Sequence, residues 1–281
     1  MKFRYIGTAA AEGIPSIYCD CPVCRNARQN GGKDIRARSG AVIDETLLID
    51  YPPDIYMQCL NGLLDARLIR SVLITHAHAD HCDMYELMFR SDPYFCLPYC
   101  EYTLHIYGNA AARHRFDEAC RETPINHAEF HIINPYSPFL VQGFTVTALP
   151  ANHAYEQAAF IFLLEKDGKR ILYANDTGYF LPETMEYLKE KHCDFISFDC
   201  TMSLAVPDAG YGHMGIDCVA RLRDDLIAQG TAGPDTLCVC NHFSHNGLNM
   251  GGGQLRTHSD LLAQAQKRGM DAAFDGMEIV L

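Results

Sequence analysis

No run of 18 apolar residues occurs in this 281-residue sequence, so no membrane-spanning helix is expected. Residues Met1 to Ala10 lack the long apolar centre of a secretory signal and read as a strand running into a turn. A cytoplasmic protein is the expectation. Cationic residues are scarce: 23 Lys and Arg stand against 35 Asp and Glu, a formal net charge of −12. Such a surface disfavours nucleic acid and anionic membranes as partners. No linker rich in Pro, Gly or Ser and no break in composition divides the chain, so residues 1–281 read as one domain. At 48% hydrophobic residues, that domain can bury a large core. Nothing in the composition sets an oligomer, and a homodimer stays open.

Cysteine and histidine are plentiful instead, with 13 of each. In a cytoplasmic chain, thirteen cysteines argue for thiols and metal ligands over disulfides. Cys59, Cys96, Cys193 and Cys238 sit in apolar contexts and read as core filler. Cys19, Cys21 and Cys24 differ, because three thiols within six residues have the reach of a zinc knuckle lacking one ligand. A flexible loop with incidental thiols, or a redox pair of Cys21 and Cys24, fits the same residues.

The densest polar cluster is Thr75-His76-Ala77-His78-Ala79-Asp80-His81. Val72, Leu73 and Ile74 precede it as a short buried strand, and a helical-looking segment with Tyr85, Leu87, Met88 and Phe89 follows. Ligands at a strand end are held rigidly. Imidazole and carboxylate suit zinc, manganese or iron(II). Four ligand types this close do not all reach one ion easily. Two neighbouring ions are the natural reading, His76 and His78 on one, Asp80 and His81 on the other.

Along the chain, Lys2–Gly7 reads as an edge strand and 13–32 as irregular. Residues 39–43 and 46–50 read as a hairpin ending at Asp50. Residues 54–64 form an amphipathic segment with Ile55, Leu60, Leu63 and Leu64 on its buried face. A loop is expected over 91–98, a strand over 105–107 and a helix over 110–121. Further strands are expected over 130–133 and 144–149, the last running into His153. Residues 158–164 and 170–174 form a second hairpin with Asp167-Gly168 as its turn, ending at Asp176. A helix follows from Pro182, then a strand 195–199 and a helix 216–229. A strand 236–240 runs into His242, and a helix over 257–268 and a strand over 278–281 close the chain. His105, His114, His127 and His131 have no ligand-type neighbours in sequence, and His192 and His258 read as surface residues. Hairpin, ligand-bearing strand end and helix occur twice. This predicts an α/β fold of two face-to-face sheets with helices outside and an active site along one edge. Asp50, the His76 cluster, His153, Asp176 and His242 all follow apolar strands, a repetition that a two-metal site requires.

The run His-x-His-x-Asp-His resembles the signature of the metallo-β-lactamase superfamily, and the resemblance extends from Gly7 to about His245. It implies a four-layer αββα sandwich of two mixed sheets. It implies one metal on His76, His78, His153 and Asp176 and another on Asp80, His81, Asp176 and His242, with Asp176 bridging. Asp50 would support the metal loop by hydrogen bonding. β-Lactamases of this fold usually carry Cys at the bridging position, so Asp176 points to the phosphodiesterase and thioesterase branches. His245 follows His242 by three residues. Together with Cys19, Cys21 and Cys24 it resembles the structural zinc of one subgroup, the phosphoribosyl cyclic phosphate phosphodiesterases of the carbon–phosphorus lyase pathway and their relatives, among them a PQQ-pathway accessory protein. His213, in Gly-Tyr-Gly-His-Met-Gly, opens a helix near the position of the superfamily's catalytic histidine; a helix-capping role is the plain alternative. The expectation is a hydrolase with two catalytic Zn or Mn ions and one structural Zn, in which Asp80 and His213 serve catalysis on a small or cyclic phosphodiester. A glyoxalase-II-like thioester hydrolase and a non-catalytic accessory protein are the alternatives.

Overall fold

The computed structural model describes residues 1–91, 94, 102–246 and 257–281. Cys96 and most of the loop expected over 91–98 lie outside the described residues. The strands form two seven-stranded mixed sheets. The first contains β1 (Lys2–Gly7), β2 (Gly40–Ile43), β3 (Leu47–Ile49), β4 (Ser71–Leu73), β5 (Leu104–Gly108), β6 (Ala128–Ile132) and β14 (Glu278–Val280), in the order β14-β1-β2-β3-β4-β5-β6. The second contains β7 (Phe139–Val141), β8 (Phe144–Pro150), β9 (Phe160–Lys166), β10 (Lys169–Ala174), β11 (Phe195–Asp199), β12 (Leu237–Asn241) and β13 (Asp271–Ala272), in the order β13-β12-β11-β10-β9-β8-β7.

The sheets repeat one plan. In each, an antiparallel run gives way to a parallel run, at β3/β4 in the first and at β10/β11 in the second. Three apolar clusters define four layers. Phe3, Tyr5, Phe162, Tyr173 and Phe195 pack between the sheets. Ile55, Ala112 and Phe116, from α2 (Ile55–Leu60) and α3 (Ala110–Glu122), cover the outer face of the first sheet. Val23, Leu188, Leu222 and Leu261 cover that of the second; they come from α1 (Pro22–Asn30), α4 (Pro182–Leu188), α5 (Ile216–Ala228) and α6 (His258–Gln266). The parallel strands are covered on both faces, so they read as apolar runs such as Leu237-Cys-Val-Cys240. None of the described helices is long and apolar enough to cross a membrane.

Four polar side chains inside the sandwich pair with one another. Tyr5 donates to Ser197 at 2.8 Å, Ser197 donates to Asn175 at 3.1 Å, and Asn175 donates to the Tyr173 hydroxyl at 2.8 Å. This chain of bonds lies immediately behind Asp176.

Several elements differ from expectation. β1 is not an edge strand, because β14 pairs with it antiparallel through Phe3 and Ile279. Residues 22–30 are helical rather than irregular: Pro22 occupies the first turn and the Cys21 sulfur accepts from the Cys24 amide at 3.5 Å. α2 stops at Leu60, which is 63% exposed, whereas Ile55 and Leu64 are buried. His258 is buried, not on the surface, and accepts from Arg36 at 3.0 Å. Strands β7 and β13 were not expected; they are three and two residues long. The Asp167-Gly168 turn forms as expected, with φ of 51° and 75°.

Candidate metal centre

The loop after β4 is fixed by Asp50. This residue ends β3 with φ of 63°, in the left-handed region, and aims its carboxylate at the next strand end. It accepts from the Thr75 amide at 2.8 Å and from the His81 Nδ1–H at 2.7 Å. The His81 Nε2 lone pair is thereby turned inward, toward Asp80 at 3.0 Å and Asp176 at 2.6 Å. His76 Nε2 lies 2.8 Å from His78 Nδ1, which lies 3.4 Å from His153 Nε2. His153 donates its other nitrogen to the Gly212 carbonyl at 3.0 Å, which sets its tautomer.

Asp176 stands between the two groups. One oxygen is 2.6 Å from His81 and 2.8 Å from His242; the other is 3.8 Å from His153 and 3.7 Å from His213. Asp176 and His242 also have positive φ, 48° and 61°. Candidate ligand atoms gather in overlapping sets that include His76, His78 and His153; Asp80, His81 and His242; His76, His81 and Asp176; and Asp176, Asp199, His213 and His242.

The donor set fits cations. His81 Nε2, His242 Nε2 and Asp176 Oδ2 are buried, yet none makes a properly directed hydrogen bond despite their closeness. Lone pairs aimed at one point, not at protons on each other, leave such atoms orphaned. Burial works against a charged His81, but Asp176, Asp50 and Asp80 outweigh it and hold the ring well above the usual imidazole range. His76, buried without a carboxylate on its nitrogens, is pushed well below that range by desolvation and by the neighbouring histidines.

His213 does not open a helix. α5 starts at Ile216, and Gly215 is the residue before it. The amides that this helix start could offer an anion are occupied: Met214 donates to Asp199 at 2.9 Å, Ile216 to Ser203 at 2.9 Å, and Asp217 and Cys218 to Pro207 at 3.0 Å each. His213 is held by its side chain instead, with Nδ1 2.9 Å from Asp199 and 3.2 Å from Thr201. Burial disfavours the charged ring, but Asp199 outweighs it and carries His213 up to about 9. Asp199 had no predicted role. It ends β11 as Asp50 ends β3, and Thr201 links it to His242 Nδ1 at 2.8 Å. A carboxylate closing an apolar strand was the available signal. An apolar pocket of about 230 Å³, lined by Tyr51, Ile55, Cys59, Leu87 and others, shares none of the cluster's residues.

The second cysteine–histidine cluster also assembles. Cys19, Cys21, Cys24 and His245 bring their sulfur and nitrogen atoms within 4.8 Å of one another. His245 Nδ1 is 3.5 Å from both Cys19 and Cys21. Backbone amides of Cys21 and Ser16 point at the Cys19 and Cys24 sulfurs at 3.4 Å each, and Glu12 lies 3.5 Å behind His245. All described cysteines are free, and Cys193 and Cys238 are buried as expected of core filler, with Cys59 half-buried.

A family model described as "Beta-lactamase superfamily domain" matches residues 45–232. Among curated proteins, coenzyme PQQ synthesis protein B of Acinetobacter baumannii is 23% identical over the whole of both chains. An octanoyltransferase of Porphyromonas gingivalis is 33% identical over 85 residues, which cover 29% of this chain and only 16% of that protein. Among solved structures, a diphosphatase from the PhnP family superposes with a TM-score of 0.74 at 20% identity, over 100% of this chain and 97% of the other. Zinc-bound PqqB from Methylobacterium extorquens gives 0.74 at 18% identity over the whole of both. The four-layer architecture, the matched domain and the two assembled clusters lead to one family: the chain belongs to the β-lactamase superfamily, in its metallo-β-lactamase form.

Proposed function

We infer that the protein is a dinuclear metal-dependent hydrolase acting on a small or cyclic phosphodiester. The observation that carries this reading is Asp176, a buried carboxylate whose two oxygens face different histidine groups. His76, His78, His153 and Asp176 would hold one ion, and Asp80, His81, Asp176 and His242 the other. The donor set admits zinc or manganese. Cys19, Cys21, Cys24 and His245 would hold a structural zinc, because thiolates select that metal. When bound, the catalytic pair supplies an activated water and positive charge against a phosphate oxygen.

The chain's own groups do the rest. Asp50 and Gly212 fix the tautomers of His81 and His153. Asp80 orients the attacking water. Asp199 engages Nδ1 of His213, leaving Nε2 as the nitrogen that hands a proton to the leaving oxygen. His213 lies outside both assigned ligand sets yet beside Asp176, with Asp199 on its Nδ1, a placement that supports an acid role. The similarity to a PhnP-family diphosphatase favours phosphoester chemistry. The full-length similarity to PQQ synthesis protein B favours a competing reading, an accessory protein without turnover. The completeness of the ligand set weighs toward an enzyme. A glyoxalase-II-like thioester hydrolase would share the bridging Asp176.

The test is turnover of bis(p-nitrophenyl) phosphate, a thioester and a lactam by metal-loaded protein, beside Asp176→Ala. Turnover of the phosphodiester alone, lost in the variant together with both catalytic metals, is expected. A variant with two catalytic-site metals and a normal rate would refute the bridge. No turnover of any substrate by the loaded protein would favour the accessory reading.

A further inference from the structure

His105, Glu129 and His131 form a metal-ligand cluster at the other end of the sheet from the catalytic residues. His105 and Glu129 are register partners on the parallel strands β5 and β6, and His131 lies two residues beyond Glu129 on the same face. His105 Nδ1 is 3.0 Å from His131 Nε2, and Glu129 Oε2 is 3.8 Å from the first and 3.9 Å from the second. Two imidazole nitrogens that already touch are thus faced by one carboxylate oxygen nearly equidistant from both. Ligand atoms about 2.0–2.2 Å from a shared zinc stand roughly 3.3–3.6 Å apart when tetrahedral. The three distances bracket that value.

The rings are held in place. His131 stacks on Tyr107 at 4.8 Å and 23°, and Tyr107 stacks on Phe139 at 5.2 Å and 28°. Both histidine side chains are about one-third exposed and Glu129 is 61% exposed, so an ion can enter and the carboxylate can close on it. His105 pairs with Ser71, the first residue of β4. That is five residues before His76, about 16 Å along the strand, so the cluster is separate from the catalytic centre.

The geometry points to a surface site for a borderline divalent transition ion, with zinc as the reference case, bound by His105 Nδ1, His131 Nε2 and Glu129 with a remaining position open to water. Two nitrogens and one carboxylate are a donor set for zinc, nickel or copper(II), not for magnesium or calcium. An ion there clips edge strand β6 to β5 and stabilises the folded state by mass action.

The experiment is metal counting on fully loaded protein dialysed against buffered Zn²⁺, for wild type, His131→Ala, His105→Gln and Glu129→Gln. One equivalent beyond the other sites is expected in wild type. It should be absent in the two histidine variants and held at least tenfold more weakly by Glu129→Gln, with hydrolysis rates unchanged. A second arm needs no variant: carbethoxylation of wild-type histidines followed by mass spectrometry. Zinc should slow reaction at His105 and His131 but not at His114, whose side chain is 67% exposed. Equal metal counts in all four proteins, or modification of His105 and His131 at rates indifferent to zinc, would overturn the site.

Discussion

Asp199 holds two histidines at once, His213 directly and His242 through Thr201. Asp199→Ala removes the acceptor that fixes the His213 ring and loosens the orientation of His242. Metal affinity at the His242 side should fall about 10–100-fold, read by competition with a chelating dye, and turnover should fall with it. His213→Ala separates the acid from the ligands. Metal content and fold should stay. The rate on an alkyl phosphodiester should fall roughly 10²–10⁴-fold, with a much smaller loss on a nitrophenyl ester, whose leaving oxygen needs little protonation. Equal losses on both substrates would make His213 a phosphate-binding group instead.

At the scale of elements, helix α6 is docked by polar contacts inside a covered site. Thr257 and Asp260 form a capping box at its start, the His258 amide donates to Asp34 at 2.6 Å, and the His258 ring accepts from Arg36. Burial, then the nearby charges of Arg36 and Lys33, hold His258 down at about 4. The unfolded ring titrates near 6.5. A depressed histidine contributes stability that is fully present above 6.5 and is lost as pH falls toward 4. His258→Gln keeps an acceptor for Arg36 but does not titrate. The melting temperature of wild type should therefore fall more steeply than that of the variant between pH 6.5 and 4; parallel curves would remove His258 from the acid response.

The same scale explains what the sequence could tell. Strand ends that carry ligand-type residues were legible because polar chemistry follows unbroken apolar runs: Asp50, His76, His153, Asp176 and His242. Asp199 follows the same rule but is succeeded by Cys200 and Thr201, and its role exists only once the loop of His213 folds over it. Helix α1 buries only Val23, Cys24 and Ala27, so its clearest signal is Pro22 with the Cys21 cap. The short edge strand β7 has too few residues to show alternation. His105 and His131 are separated by 26 positions and meet only through parallel pairing, which no local pattern reveals. Leu60 fits the apolar stripe of its segment but lies on a helix that ends there, before the core reaches it.

On the scale of the whole molecule, the cysteine–histidine cluster joins residues 226 positions apart. Cys24 lies in α1, whose Val23 and Ala27 pack on the second sheet, and His245 follows β12. Cys21→Ser should release one zinc and lower the melting temperature. A loss of about 2–3 kcal/mol would appear as a drop of roughly 3–5 °C in a chain of this size. The catalytic metal count in the surviving folded protein should be unchanged; a variant that keeps its zinc and its melting temperature would remove the cluster's structural role.

His242 and His245 sit three residues apart, one facing the Asp176 cluster and the other the three cysteines. That adjacency has a meaning in time. A ribosome releases Cys19 and the His76 cluster early, but the cysteine set and the set that includes His242 stay incomplete until the segment 242–245 has left the exit tunnel. On the proposed metal assignment, the structural site and the catalytic site that includes His242 would be completed together, late, and only on a polypeptide translated through residue 245.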